Sequence, residues 1–458
     1  MSTPPLASGP HGPDALRPLL DTVLGALATG AAARGGPLPA GGPDAVAARV
    51  SDALGDVLPE HGDPDALRAL VHTLAAGAAD PADPLCAAHL HCPPLAVSAA
   101  ADLAVSALNP SLDSWDQAPA ASALEARVTR ALAARLGLAD AVVTTGGTEA
   151  NQLALLLARE APGAPGAQGA PVRLVCSAAA HHSLPRAAWL LGLPDPVVLP
   201  APNGILDPGT LDAALAGLTG PLLVAATAGT TDAGLIDPLP EIAARCAAHG
   251  TRLHIDAAYG GALALSDRHH ALLDGLDAAH TVALDLHKLG WLPVAAGFLA
   301  VADATELDAL HQRADYLNAG DDTEAGLPDL LGRSTRTTRR PDILKAAVTL
   351  RTLGRTGLAD LIDQVLGLAQ DFADRIEAHP GLELYDRPTL ATVLFRPAHA
   401  SDDTVAAVRR TLLHEGRAVL GRARADGRLW LKATLLNPHT GPDDLAHLLK
   451  LAEGHTPA

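Results

Sequence analysis

Apolar positions follow two rhythms along the chain. Over the first hundred residues they recur at the three-to-four spacing of an amphipathic helix. They do so from Asp14 to Leu27, again from Asp44 to Asp80, and in an Ala-rich run from Ala96 to Ala107. Pro4, Pro5, Pro10, Pro13, Pro18, Pro37, Pro39 and Pro43 punctuate the first stretch, which reads as a peripheral helical arm. Beyond the Pro81, Pro84, Pro93, Pro94 junction the rhythm changes. Short β-rich runs end in Gly, Thr or Asp and are separated by helix-like stretches. The strands predicted are Ala141–Thr144, Val172–Cys176, Leu222–Ala226, Arg252–Ile255 and Thr281–Leu284. Such alternation specifies an α/β domain with a largely parallel sheet, which binds ligands at the carboxyl ends of its strands. From Thr352 a helical run to Ala378 leads into strands Leu382–Tyr385 and Thr392–Phe395, a helix Asp403–His414 and a strand Leu429–Leu435. The expected organisation is an N-terminal helical segment (1–100), a large domain (101–350) and a small C-terminal α+β domain (351–458), without internal repeats.

Composition narrows the class. The 458 residues are 48% hydrophobic and 18% charged, a globular balance, and with 2% aromatics the core must be built from Leu, Val and Ala. A formal charge of -18 repels a nucleic-acid backbone and an anionic membrane. No basic region followed by an apolar leader opens the chain, and no run approaches the roughly 20 apolar residues of a membrane span. Cys86, Cys92, Cys176 and Cys246 form no CxxC pair, as in a reducing compartment. The expectation is a soluble cytoplasmic protein. Cys86, His89, His91 and Cys92 match no common zinc spacing, so no metal is expected.

Chemistry concentrates after the predicted strands. Only four lysines occur (Lys288, Lys345, Lys432, Lys450) among 33 basic residues. Lys288 follows a strand directly, where an amine can form a Schiff base with a carbonyl ligand; an isolated loop lysine is ordinarily just solvated. Gly146 and Gly147, with Thr148, turn a strand into a helix and free backbone N–H groups that suit a phosphate, though the same turn serves ordinary capping. Asp256 ends a strand and precedes the small residues Ala257 and Ala258, so a flat ring can lie close with its pyridine nitrogen on the carboxylate; capping of the next segment is the plainer role. Thr230 and Thr231 stand in a Gly/Thr turn that can place a hydroxyl beside such a ring or be a simple loop. His181 can stack on a ring or move a proton, or be a satisfied core histidine.

Taken in order, phosphate turn, histidine, Thr loop, Asp and Lys, each after a strand, the chain resembles the pyridoxal-phosphate enzymes of the aspartate-aminotransferase fold, and more narrowly the group II amino-acid decarboxylases. The match covers about 85–350 and continues more weakly to Thr440. His89–Pro93, Asn109–Gln117 (NPSLDSWDQ), Ala314–Asn318 (ADYLN) and Thr337–Arg340 (TTRR) are similar to the branch acting on 2,4-diaminobutyrate and related basic amino acids. The resemblance implies fold type I: a large domain with a mainly parallel, mixed seven-stranded sheet, a small C-terminal α+β domain and a helical N-terminal segment. It implies pyridoxal 5'-phosphate as cofactor, Lys288 as its Schiff-base lysine and Asp256 on the pyridine nitrogen. Gly147 and Thr148, with His287 beside them, would hold the phosphate; His181 would stack on the ring and stand as a candidate acid; Thr231 and Ala258 would border it. Asp285 falls where aromatic-acid decarboxylases of the family tend to have Asn and the diaminobutyrate-like branch tends to have Asp.

The implied activity is decarboxylation of a small basic L-amino acid to the amine and CO2 by a homodimer with its site at the interface. Carboxylates that can favour a cationic substrate are Asp113, Asp116, Asp321, Asp322 and Glu324, unless they are simply solvated. One feature departs from the family. Its members often carry a catalytic Tyr on a mobile loop after the lysine, whereas residues 319–336 contain none, Leu330 stands near that position, and Tyr occurs only at 259, 316 and 385. The proton donor then falls to His181, Tyr316 or a loop Ser or Thr. Readings left open are another substrate (lysine, ornithine, glutamate or an aromatic amino acid), an oxygen-dependent aldehyde-forming reaction, or a binding-only relative.

Overall fold

Three helices, Gly12–Arg34, Gly42–Leu54 and Ala66–Gly77, make the N-terminal arm in the computed structural model, which describes residues 4–161 and 171–455. Residues 1–3 of the predicted arm and 456–458 of the predicted C-terminal domain lie outside the described residues. The first helix outruns the Asp14–Leu27 prediction at both ends. Pro13 sits in its first turn, where a missing N–H breaks no bond, and Gly35 closes it with a left-handed φ of 74°. The chain forms two compact units. One gathers the residues up to Pro93, Leu368–Arg387 and the chain from Thr392 onward; the other takes Pro94–Gly367 and Pro388–Ala391. The arm leads into β1 (Cys86–Ala87) in the first unit.

The second unit is built on seven strands: β2 (Asp140–Thr144), β3 (Arg173–Ser177), β4 (Val197–Leu199), β5 (Leu222–Thr227), β6 (Arg252–Ala257), β7 (Thr281–Asp285) and β8 (Gly297–Val301). Their order is β2-β8-β7-β6-β5-β3-β4. All run parallel except β8, which is antiparallel to both β2 and β7. The predicted strands are all present, within one or two residues at either end. Neither β4 nor β8 was among them: three residues are too few for periodicity to mark β4, and β8 runs antiparallel where strand–helix alternation predicts only parallel neighbours. Every residue of β5 is buried, as in a strand covered on both faces. The helix Gly147–Glu160 packs Leu153, Ala154 and Leu157 against Val142, Leu299 and Val301, while its Leu155 and Ala158 join Leu174 and Cys176. Each fully buried leucine there contributes about 1.5–3 kcal/mol. That double-sided packing fixes the helix start, and with it the glycine turn, against the sheet.

The helix predicted from Thr352 begins earlier, at Ile343, and runs to Glu377 with a break at Gly354 (φ 66°, ψ 178°). Only glycine adopts that conformation cheaply. In the first unit, β9 (Leu382–Leu384), β10 (Thr392–Pro397), β11 (Val419–Ala425) and β12 (Arg428–Thr434) form a sheet in the order β1-β11-β12-β10-β9. Helices Asp402–His414 and Pro442–Gly454 contribute to its core, where Phe372 and Phe395 meet edge to face at 5.4 Å. Among the described residues no helix is long and apolar enough to cross a membrane.

Candidate active site

β7 delivers Asp285 to its carboxyl end and turns at once into the single helical turn Leu286–Leu289, which carries Lys288. The spacing of three brings Lys288 Nζ to 3.0 Å from Asp285 Oδ2. The same oxygen accepts the Gly147 N–H at 3.1 Å and lies 3.4 Å from His287 Nε2. Ala296 N–H donates to His287 Nδ1 at 3.2 Å, so the ring proton sits on Nε2, facing Asp285. Burial depresses the His287 pKa, against the pull of Asp285. Asp285 is 1% exposed, and its Oδ1 is buried with no hydrogen-bond partner among the described residues.

Glycine is required where β2 meets its helix. A Cβ on Gly147 would stand 2.8 Å from Ala258 Cβ and 3.4 Å from Asp285 Oδ2; one on Gly146, at φ 152°, would stand 3.1 Å from His287 Cε1. Three strand ends therefore approach to backbone distance around the N-terminus of a 14-residue helix, where Asp285 takes the Gly147 N–H and the Gly146 carbonyl takes the Ala150 N–H. Thr148, in its first turn, is exposed. Glu149 staples the turn from outside, Oε2 accepting the Thr145 N–H at 2.6 Å and hydroxyl at 2.8 Å while Oε1 takes Arg336 Nε at 3.2 Å.

Asp256, at the end of β6, is 5% exposed and held from two sides. Its Oδ1 accepts the Ala258 N–H at 3.1 Å and its Oδ2 accepts Asn151 Nδ2 at 2.8 Å. Asn151 also donates to Ser183 Oγ at 2.8 Å, and its Oδ1 lies 2.9 Å from His254 Nε2. His254 Nδ1 is 2.9 Å from Thr281 Oγ1, and Ser183 Oγ is 2.7 Å from His181 Nδ1. Burial pushes the His254 pKa down to about 4. Burial also lowers that of His181, with Asp256 pulling the other way.

Five of the residues singled out from the sequence thus come together directly: Gly147, Ala258, Asp285, His287 and Lys288. Asp256 and His181 are joined through Asn151 and Ser183. Thr231 is exposed. In the same turn Thr230 is buried, and its Oγ1 accepts the Leu235 N–H at 3.0 Å, so it holds the turn rather than reaching out of it. Asn151, Ser183, His254 and Thr281 were not anticipated. A signal existed for one of them: the period of two along β6 puts His254 on the same face as Asp256.

The arrangement suits a ligand with three handles. A carboxylate whose geometry is fixed by two donors can hold a protonated ring nitrogen, an amine stands ready for a carbonyl carbon, and a glycine-lined helix start offers N–H groups to a phosphate. Pyridoxal 5'-phosphate carries all three, and the residues present fit it.

Comparisons with known proteins agree. The model of the pyridoxal-dependent decarboxylase conserved domain matches residues 54–398. An L-2,4-diaminobutyrate decarboxylase from Rhizobium meliloti is 40% identical over 403 residues, 85% of this chain and 80% of the relative. One from Acinetobacter baumannii is 34% identical over 79% of this chain and 78% of its own. Among solved structures, the glutamate decarboxylase domain of diaminobutyrate-pyruvate transaminase and L-2,4-diaminobutyrate decarboxylase from Vibrio parahaemolyticus superposes with a TM-score of 0.86 at 31% identity, covering 98% of this chain and 97% of that one. The mixed seven-stranded sheet and this likeness establish the expected fold type. With a family model spanning three quarters of its length, the chain belongs to the pyridoxal-dependent decarboxylases, carboxy-lyases that work on amino acids with pyridoxal 5'-phosphate.

Proposed function

We propose that the chain decarboxylates a small basic L-amino acid, 2,4-diaminobutyrate foremost, releasing CO2 and the diamine. The observation that carries the reading is the joined set Lys288, Asp285 and Gly147, with buried Asp256 on the neighbouring strand, in a chain 40% identical to a diaminobutyrate decarboxylase. Bound pyridoxal phosphate supplies the sink for the electrons released when the bond to the carboxylate breaks. Lys288 Nζ is the amine that anchors the cofactor and yields its place to the substrate amine. Asp285 Oδ2, 3.0 Å away, orients Nζ by accepting its hydrogen bond. Asp256 keeps the ring nitrogen protonated, and its burial keeps that ion pair out of water. Gly147 and Thr148 bind the phosphate with His287, His181 stacks on the ring, and Thr231 and Ala258 border it.

Preference for a diamino acid requires a carboxylate for the second ammonium. Asp116, Asp321, Asp322 and Glu324 are exposed and serve solvation, whereas Asp113 is 8% exposed and its Oδ1 is buried without a partner among the described residues. A buried carboxylate oxygen without a partner is costly, and a substrate cation relieves that cost. Tyr316 and Leu327, exposed on the segment after the lysine, support a homodimer in which residues 319–336 meet the partner; sedimentation velocity checks that.

One observation favours a second reading. Residues 319–336 hold no tyrosine, so delayed protonation would favour an oxygen-dependent aldehyde product. The test incubates the cofactor-loaded enzyme with 2,4-diaminobutyrate, ornithine, lysine, glutamate and aromatic amino acids, under air and under nitrogen. CO2 with stoichiometric diamine in both atmospheres is expected from the diamino acid. Aldehyde and oxygen uptake under air would establish the second reading, and silence with every substrate a binding-only relative.

A further inference from the structure

The buried polar chain around Asn151 has a single proton order that leaves every group satisfied. Ionised Asp256 only accepts, so the amide of Asn151 must face it through Nδ2 and face His254 through Oδ1. Nε2 of His254 therefore bears the proton, and its bare Nδ1 takes the Thr281 hydroxyl. The second Nδ2 proton of Asn151 goes to Ser183 Oγ, which frees the Ser183 hydroxyl to donate to His181 Nδ1 at 2.7 Å. The Ser183 backbone N–H points at the same nitrogen from 3.3 Å. Two donors thus converge on His181 Nδ1. Asn151, Ser183 and His254 are each at most 1% exposed, so bulk solvent does not reach these bonds.

From this geometry we propose that Asn151 is a positioning residue which, through Ser183, locks His181 as a neutral imidazole with its only proton on Nε2 while it holds Asp256 as the ionised acceptor. A neutral imidazole hydrogen-bonds through Nε2 but does not protonate carbon, because giving up its one proton would leave an imidazolate. The proton that completes the product must then come from another group, and His181 leaves the set of candidate acids. The charged and titratable groups acting on His181 are Asp256, His182, Lys288 and Asp285, and its own burial adds to the donors in opposing a second proton. The inference rests on the proposed stacking of His181 on the cofactor ring, but the ring-proton measurement below is independent of the substrate.

The experiment records 15N spectra of the holoenzyme labelled in its histidine rings, with His181 assigned by the signal lost in His181→Gln. Expected is a single Nε2–H tautomer of neutral His181, protonating only below the range of an ordinary imidazole. In Ser183→Ala, which removes one donor, His181 should titrate about one pH unit higher, and the acid limb of kcat/KM should move up with it. Ser183→Thr keeps the hydroxyl and should restore both. Asn151→Ala should repeat the Ser183→Ala shift; should it not fold, the Ser183 pair decides. A His181 proton on Nδ1 in the wild type, or a spectrum and acid limb unmoved in Ser183→Ala, would overturn the proposal. Absence of turnover with every amino acid, alongside the expected spectra, would instead count against the proposed reaction.

Discussion

Asp256→Asn isolates the electrostatic core of the proposed site. The substitution preserves shape, and Oδ1 can still accept the Ala258 N–H. It changes two things. The ring nitrogen loses its anionic partner in a site where Asp256 is 5% exposed, and an amide nitrogen now meets Asn151 Nδ2 donor to donor across 2.8 Å. Breaking a buried, hydrogen-bonded ion pair by neutralising one member costs about 3–5 kcal/mol. At about 1.4 kcal/mol per factor of ten, kcat should fall by roughly two to nearly four orders of magnitude. Because the same contact helps to hold the cofactor, its dissociation constant should rise as well. The assay is CO2 release at saturating pyridoxal phosphate, with circular dichroism and the melting temperature of the apoprotein as controls for folding. A folded variant within tenfold of the wild type at saturating cofactor would refute the placement of Asp256 on the ring nitrogen.

Three further outcomes follow from the geometry. His254 titrates at about 4 in the folded chain against an ordinary 6.5. The unfolded chain therefore takes up a proton between these values that the native one refuses, and stability present above pH 6.5 is lost as the pH falls towards 4, by up to about 3 kcal/mol. Urea titrations across that window should show this slope, reduced by one proton in His254→Gln. Gly147→Ala drives a methyl group against Ala258 Cβ at 2.8 Å, so it should weaken cofactor binding at least tenfold and reduce the rise in melting temperature that pyridoxal phosphate gives the wild type. Asp113→Asn should raise KM for the diamino acid by about ten- to a hundredfold, the worth of a charge-assisted hydrogen bond, and leave kcat within a few-fold; equal losses with neutral and cationic substrates would remove Asp113 from specificity.

How much of this was legible beforehand depends on what each residue's neighbours are. Lys288 stood out because lysine is rare here and because a strand ends three residues earlier. Gly147 and Asp256 were legible for the same local reason, a strand boundary with an abrupt change of residue size. Asn151, Ser183 and Thr281 were not, because each is a lone polar residue whose partners come from other strands and helices, and local spacing carries no record of such meetings. Within the Thr turn the burial of Thr230 and the exposure of Thr231 depend on how Gly229, at φ 108°, backs onto Tyr259, again a tertiary matter. The antiparallel β8 escaped because strand–helix alternation predicts only parallel neighbours.

The most direct test of the account asks which amine holds the cofactor. Treating the holoenzyme with borohydride, digesting it and sequencing the pyridoxyl peptide by mass spectrometry distinguishes all four lysines. The account predicts one label per chain, on Lys288, and none in Lys288→Ala. A label on Lys345, Lys432 or Lys450, or a chain that retains pyridoxal phosphate without any reducible bond, would contradict it.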